Sequence, residues 1–550
     1  MACSLCLLVA VATPVAAYEG LFSDVPATHW AAETVELAAK KGLMEGTGNG
    51  QFGLEKSIDR AAFVTVLCRM FSWEMTPEEI PSFADCGPAD WYYGAVETAL
   101  AHNVIDEGER FRPTAAISRG EMAEMLVRAL GYGPLAGAVA GMPSPFSDVT
   151  GNGYVNIAYD VGMTMGIAEE GGVRFHPGDA ASREEAAAMM LRVYDRYTQK
   201  IDWLHGFYAF DSYKQIHFTK EMDGVSVGWA RLDYDPVTGA FLNNTNLNGN
   251  DWREPKDSAV ATDFFAQNGT PCNLNVFCGT GDKVKLPDGK ETNDVAAIID
   301  TEQSRKIAID ALVAAVNPRF SGITIDFEGL KSADVYKEKF TAFMTELRAA
   351  LPAEKTLYVC VQPTNWYKGF DFKALGEICD KVILMAHDYR HTFSKDYIGT
   401  NKTDNPDSPL PRIYEALRQI TDPVSGVQDR SKIALALSFA NSALKIDENG
   451  LMLENVAYHP ARDTVVKRLK QPDTIMGWHE AYGSSFATYS GDKGDKYILW
   501  YEDGRSATAK VELARMFGIN GISLWRLGSI PDDQTPGLNY DAWSALLSER

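Results

Sequence analysis

Three stretches of this chain echo one another, and they constrain its fold more than any other feature. Phe22-Ser23-Asp24-Val25 returns as Phe83-Ala84-Asp85-Cys86 and again as Phe146-Ser147-Asp148-Val149. An aromatic stands at the same offset in each copy: Trp30, Trp91 and Tyr154. A second echo closes each copy: Asp59-Arg60-Ala61-Ala62, Ser118-Arg119-Gly120-Glu121 and Ser182-Arg183-Glu184-Glu185. A helical apolar pattern follows, as at Met122, Met125, Leu126 and Ala129. Ser118 and Ser182 stand where helix N-caps stand, with an acid in the first turn. Each copy therefore reads as a helix, a glycine-rich loop and a second helix, the first such helix covering 31–41. A unit of about 60 residues buries little surface alone, so the three copies, at 20–75, 81–134 and 144–197, are expected to pack together.

From about residue 201 the texture changes. Eight short β-rich runs follow, at 205–210, 225–232, 274–278, 322–327, 356–362, 381–386, 432–439 and 521–525. Helical patterns separate most of them, as at 333–351 and 506–517. Uniformly apolar strands alternating with helices predict buried parallel strands. Eight such units over 201–550 predict a (β/α)8 TIM barrel. The expected fold class is multidomain: an α-helical three-repeat bundle followed by an α/β barrel.

In such a barrel, chemistry sits at the carboxyl ends of the strands. The fourth run reads Ser321-Gly322-Ile323-Thr324-Ile325-Asp326-Phe327-Glu328. With a period of two, Ile323, Ile325 and Phe327 face the helices, and Thr324, Asp326 and Glu328 point inward. Asp326 and Glu328 then lie about 6–7 Å apart along one face. Their repulsion raises the pKa of one member, which is what a general acid needs near neutrality.

Composition narrows the classes. Among 550 residues, Asp and Glu outnumber Lys and Arg, giving a net charge of −22. That excludes a general nucleic-acid binder, whose affinity comes from neutralising phosphate, and an electrostatic membrane binder. A neutral polymer is compatible with it. The apolar run 5–15, followed by Val15-Ala16-Ala17, reads as a secretory signal peptide at 1–17, although no Lys or Arg precedes it. No later stretch predicts a transmembrane helix. Beyond Cys3 and Cys6, six cysteines remain, without CxxC or zinc spacing. They are expected as buried thiols, although Cys272 and Cys278 could bridge. There is no HExxH, GxSxG, P-loop or dinucleotide fingerprint. His387 and His391 fall in a loop, so neither a metal nor another cofactor is expected.

The repeats resemble the S-layer homology (SLH) repeat, through FxDVP…HW at the start and (I)TRAE at the helix entry. The resemblance implies a pseudo-threefold bundle holding a secondary cell-wall polymer of a Gram-positive-type envelope. Its TRAE arginine contacts an anionic ketal, and here corresponds to Arg60, Arg119 and Arg183. The competing reading is that each arginine pairs with a nearby acid. Repeat 1 departs most, with Asp59 for Thr and Ala62 for Glu.

Residues 201–550 resemble glycoside hydrolase family 18, whose fourth strand reads DxxDxDxE. Here it reads SxxTxDxE: Asp326 and Glu328 match, Ser321 and Thr324 depart. Met385-Ala386-His387-Asp388 is similar to MxYD on strand six, with His387 for Tyr. Gly521-Ile522-Ser523-Leu524-Trp525 is similar to the stretch bearing the tryptophan that floors the sugar site. Tyr501-Glu502-Asp503-Gly504-Arg505-Ser506 resembles the WYEDxRS stretch of the spore-cortex and peptidoglycan branch. The resemblance implies substrate-assisted retaining hydrolysis of an N-acetylated glycan. Glu328 is the expected acid and base, and Asp326 orients the acetamido group. Thr324, His387, Asp388, Tyr389, Phe210, Trp366 and Trp525 are the expected substrate contacts, with Trp229 a further aromatic near a strand end. The expectation is a secreted glycosidase anchored to the wall, acting on peptidoglycan in preference to chitin. The alternative is a non-catalytic glycan-binding or surface-layer protein with a degenerate barrel.

Overall fold

The computed structural model describes residues 20–75, 80–209 and 211–550. The signal-peptide segment, Cys3, Cys6 and Phe210 lie outside the described residues. The chain divides into two compact units. Of the described residues, one takes in those up to Gly131, with Pro143–Thr150 and Gly162–Asp195; the other takes in Tyr132–Met142, Gly151–Val161 and those from Arg196 to Arg550.

In the first unit the repeated residues explain themselves. The aspartate of each opening motif accepts backbone N–H groups from its own repeat's loop: Asp24 from Phe52, Gly53 and Leu54, Asp85 from Phe111 and Arg112, Asp148 from Phe175 and His176. The motif phenylalanine packs on that loop's aromatic, with Phe22 5.4 Å from Phe52, Phe83 5.7 Å from Phe111 and Phe146 5.4 Å from Phe175. The second helices start as expected. Asp59 caps Arg60–Met70 by accepting from the Ala62 N–H, and Ser118 with Glu121 forms a capping box at Arg119–Ala129. Ser182 with Glu185 makes the same reciprocal pair at Arg183–Tyr197.

The three helix-entry arginines link the repeats in a cycle. Arg60 Nε donates to the Phe111 carbonyl of repeat 2, Arg119 Nε to Phe175 of repeat 3, and Arg183 Nε back to Phe52 of repeat 1. Arg60 also pairs with Glu121, and Arg119 with Glu185. The residue of repeat 1 equivalent to those acids is Ala62, so the missing carboxylate is felt by Arg183. Its second contact is the Glu45 carbonyl, at 2.6 Å.

The third repeat is not self-contained, contrary to the boundaries 144–197. Its first helix, Gly153–Asp160, belongs to the second unit, as does the helix Gly133–Val139. The two pack so closely that a Cβ at Gly153 would stand 1.9 Å from the Ala136 carbonyl oxygen. Asp160 is buried against Tyr414 and Arg418.

The second unit is a closed parallel barrel. Its strands are β1 (Trp203–Tyr208), β2 (Gly224–Asp235), β3 (Cys272–Gly279), β4 (Gly322–Glu328), β5 (Thr356–Val361), β6 (Lys381–Leu384), β7 (Ile433–Ser438) and β8 (Gly521–Trp525). Each pairs in parallel with the next, and β8 with β1 closes the ring. All eight expected runs are strands. The period-two reading of β4 holds: Phe327 packs outward on Phe340 and Phe343, while Asp326 points inward, where Asn275 donates to it. A four-stranded antiparallel sheet of Ser442–Ile446, Ile475–His479, Ser484–Ser490 and Lys496–Tyr501 is inserted between β7 and β8. The Tyr501–Ser506 motif is the strut beneath it. Asp503 and Ser506 form the capping box of helix Gly504–Met516, and Glu502 makes a fully buried ion pair with Lys510. Cys272, Cys278, Cys360 and Cys379 are buried free thiols, as are Cys68 and Cys86 of the first unit. Among the described residues no helix is long and apolar enough to cross a membrane.

Candidate active site

Glu328 ends β4 and opens into a cavity of about 330 Å³ at the carboxyl ends of the strands. The turn after it requires glycine. Gly329 adopts φ +84°, and a Cβ there would stand 2.1 Å from Thr280 Oγ1. Its N–H donates to Gln362 Oε1 at 2.8 Å, which ties the end of β4 to the end of β5.

Asp326 lies one pleat deeper, 2% exposed. Asn275 Nδ2 donates to its Oδ2 at 3.3 Å, and its Oδ1 is buried without a hydrogen-bond partner. Burial pushes the Asp326 carboxyl up to about 6, against the pull of Asn275. Burial, with the Asp326 charge adding to it, pushes Glu328 up to about 8. Two buried carboxyls thus sit side by side with no ion pair to either among the described residues, and the nearby His387 only partly offsets their upward shifts, an arrangement typical of a site rather than a scaffold.

His387, Asp388, Tyr389 and Trp366 line the same cavity. His387 Nδ1 lies 2.8 Å from Asp388 Oδ2, and Arg390 Nη2 donates to Asp388 Oδ1 at 2.7 Å. Burial pulls the imidazole pKa down, but the Asp388 hydrogen bond and charge outweigh it, and the net shift is upward. Asp388 is held low, because its bonds to His387 and Arg390 outweigh burial. Asp388 therefore both pairs with Arg390 and faces the cavity. It adopts φ +60°, a left-handed backbone uncommon for aspartate. Donor atoms of His387, Asp388 and Asp407 lie within 4.8 Å of one another. The Arg390 guanidinium bonds to both carboxylates and offsets part of their charge.

Trp525 ends β8 half-buried, edge-on to Phe207 at 5.3 Å and 6.0 Å from Trp252. Two expected contacts fail. Thr324 is fully buried, and its hydroxyl bonds to Ser226 Oγ at 2.7 Å. Ser226 joins His205 Nε2, and His205 Nδ1 joins Ser523, each at 2.8 Å, in a polar chain beneath the site that crosses β4, β2, β1 and β8. Thr324 thus braces the barrel and does not reach the cleft. Trp229 is likewise 1% exposed and packs inside the wall.

The sequence reading missed Asn275, Gln362 and Tyr367. Asn275 was detectable: Asn273 and Asn275 alternate with Leu274 and Val276 on β3, the same inward phase that marked Asp326. Gln362 and Tyr367 follow β5, where side-chain direction depends on the loop.

Comparison with known proteins agrees with this architecture. Residues 289–529 match the glycosyl hydrolases family 18, and residues 21–64 and 82–123 match the S-layer homology domain. A barrel that matches family 18 over 289–529 thus follows two stretches that match the S-layer homology domain. It is similar to the surface layer protein of Brevibacillus choshinensis, at 30% identity over 502 residues, 87% of this chain and 41% of that one. It is similar to the cortical fragment-lytic enzyme of Bacillus subtilis (strain 168), at 24% over 240 residues, 42% of this chain and 51% of that one. It is also similar to the S-layer protein EA1 of Bacillus anthracis, at 31% over 202 residues, 35% of this chain and 22% of that one. The chain thus spans between about a fifth and a half of the length of these three relatives.

Proposed function

We propose that this protein is an exported glycosidase, held at the cell wall by its repeats, that cleaves β-1,4-linked N-acetylglucosamine-containing glycan with retention. The observation that carries this reading is the Glu328 carboxyl, at a strand end, open to a cavity and kept protonated near neutrality by burial and by Asp326. Glu328 donates its proton to the glycosidic oxygen as the bond breaks. The substrate's acetamido oxygen attacks the anomeric carbon from the other side, giving an oxazolinium ion. The free Oδ1 of Asp326 accepts the acetamido N–H and steadies its growing positive charge. His387, whose imidazole pKa is raised by Asp388, donates to the acetamido oxygen in the place of the family's tyrosine. Glu328, now a carboxylate, takes a proton from water as the water opens the ring. Trp525, Trp366 and Tyr389 offer aromatic faces to sugar rings.

At the repeats, Arg183 is the arginine best suited to an anionic wall polymer. Arg60 and Arg119 are matched by Glu121 and Glu185, whereas Arg183 contacts backbone carbonyls. The similarity to a cortical fragment-lytic enzyme and to S-layer proteins supports peptidoglycan as substrate and the wall as location. One observation favours a second reading, a glycan-binding barrel without turnover: Thr324 replaces a carboxylate, and its hydroxyl is bonded to Ser226. Incubating the full chain and Glu328→Gln with purified peptidoglycan and with N-acetylglucosamine oligomers separates the two. Reducing ends from the parent alone establish the glycosidase; binding by both without cleavage establishes the second reading.

A further inference from the structure

The barrel unit holds a second, larger cavity, of about 430 Å³, beside the one that contains Glu328. Tyr389 borders both. The Trp366 and Tyr389 ring centroids are 5.5 Å apart, and the Arg412 guanidinium lies 5.2 Å from the Trp366 ring. The wall of the first cavity thus continues into the second.

The two linings differ in kind. The second carries charge of both signs: Asp404 and Glu415 against Arg412, with exposed His391 beside them. Arg412 and Glu415 pair at only 3.4 Å, with half of the Arg412 side chain exposed, and an exposed pair of this kind contributes little and exchanges readily. Tyr389 and Tyr482 add flat surfaces. Val139 and Met142 add an apolar patch, and both come from the stretch that lies between the second and third repeats in the sequence.

A neutral N-acetylglucosamine chain offers hydroxyls and amides, and has no groups that call for paired charges beside its cleft. A peptide branch on such a chain offers ammonium and carboxylate groups on short aliphatic stems, displaced from the glycosidic bond. The volume lies in the usual range of a ligand pocket, about 300–1,000 Å³. We infer that the second cavity is a subsite for the peptide branch of a peptide-substituted glycan. Asp404 and Glu415 receive an ammonium group, Arg412 a carboxylate, and Tyr389, Tyr482 and the Val139–Met142 patch the stems between them. The inference rests on the glycosidase reading and narrows its substrate to peptidoglycan.

The test uses the full chain in a Glu328→Gln background, titrated by calorimetry with a peptidoglycan disaccharide bearing its peptide and with the bare disaccharide. The peptide-bearing ligand is expected to bind about tenfold more tightly. Glu415→Gln combined with Asp404→Asn is expected to shrink that gap to about twofold, and Arg412→Met alone to narrow it. Equal binding of the two ligands, or a gap that survives the double variant, overturns the subsite. In parallel, the parent chain is assayed on peptidoglycan before and after an amidase strips its peptides. Cleavage of both at equal rates, with equal binding, removes the subsite and leaves the glycosidase standing. A binding gap without any cleavage removes the glycosidase and leaves the subsite standing.

Discussion

The helix entries of the repeats and the mouth of the barrel both hold charged side chains out of water, and they handle the charge in opposite ways. At the repeats, Arg60 and Arg119 each have a backbone carbonyl and a carboxylate. In the barrel, Glu328 and Asp326 have each other's repulsion and no ion pair among the described residues, with His387 offsetting only part of it. The contrast recurs inside the barrel, where Glu502 is buried more deeply than Glu328 yet has Lys510 and Ser408. A buried charge with its counter-ion holds structure together, whereas one left without a counter-ion is ready to move a proton.

The largest expected effect comes from Glu328→Gln. It should lower the hydrolysis rate by about 10²–10⁴-fold, the usual worth of a positioned acid. The same change should raise stability at neutral pH. The folded protein holds the Glu328 proton more tightly than the unfolded chain, so its contribution is full below about 4.5 and is lost as pH rises toward about 8. Thermal melts across this range should show that slope for the parent and lose it in the variant. A melting temperature that falls would mean that Glu328 is structural.

Lys510→Met tests the opposite case. It leaves Glu502 buried without its cation and should cost about 3–5 kcal/mol in denaturant unfolding. A loss below about 1 kcal/mol would show that the pair is solvated and would erase the contrast.

Asp326→Asn sharpens the comparison through pH. Hydrolysis should fail as pH rises past about 8, where Glu328 gives up the proton that it must donate. Removing the Asp326 charge lowers the Glu328 pKa, so the alkaline limb should move to lower pH as the rate falls. An unmoved limb would assign it to another group.

The smallest effect is at the repeats. Ala62→Glu supplies Arg183 with the carboxylate that the other two arginines have, and should add up to about 1 kcal/mol. If Arg183 holds an anionic wall polymer, the same change should weaken binding of the protein to purified walls.

Much of this was legible because the periodicities are strong. The eight strands lie within a few residues of the expected runs, since buried parallel strands tolerate little but apolar residues. Asp326 and Glu328 followed from alternation on one strand. The fate of Thr324 did not, because its partners Ser226, His205 and Ser523 stand on other strands, and only the register of the closed barrel brings them together. Nor did the cycle of arginines, in which a substitution in repeat 1 alters the surroundings of an arginine in repeat 3. The inserted sheet was missed because most of its strands mix polar and apolar residues, as in Ser484–Ser490, and its one dense apolar run, Tyr497–Tyr501, leads straight into the Tyr501–Ser506 motif.

The helices Gly133–Val139 and Gly153–Asp160 interleave in sequence with the repeats but belong to the barrel. The two modules are therefore threaded through one another along the gene. A recombination event, or a protease, that severed the chain near residue 198 would not deliver a clean enzyme. It would carry off the apolar wall of the second cavity and the Asp160 partner of Tyr414 and Arg418. Repeats and barrel are thus inherited, exchanged and lost together.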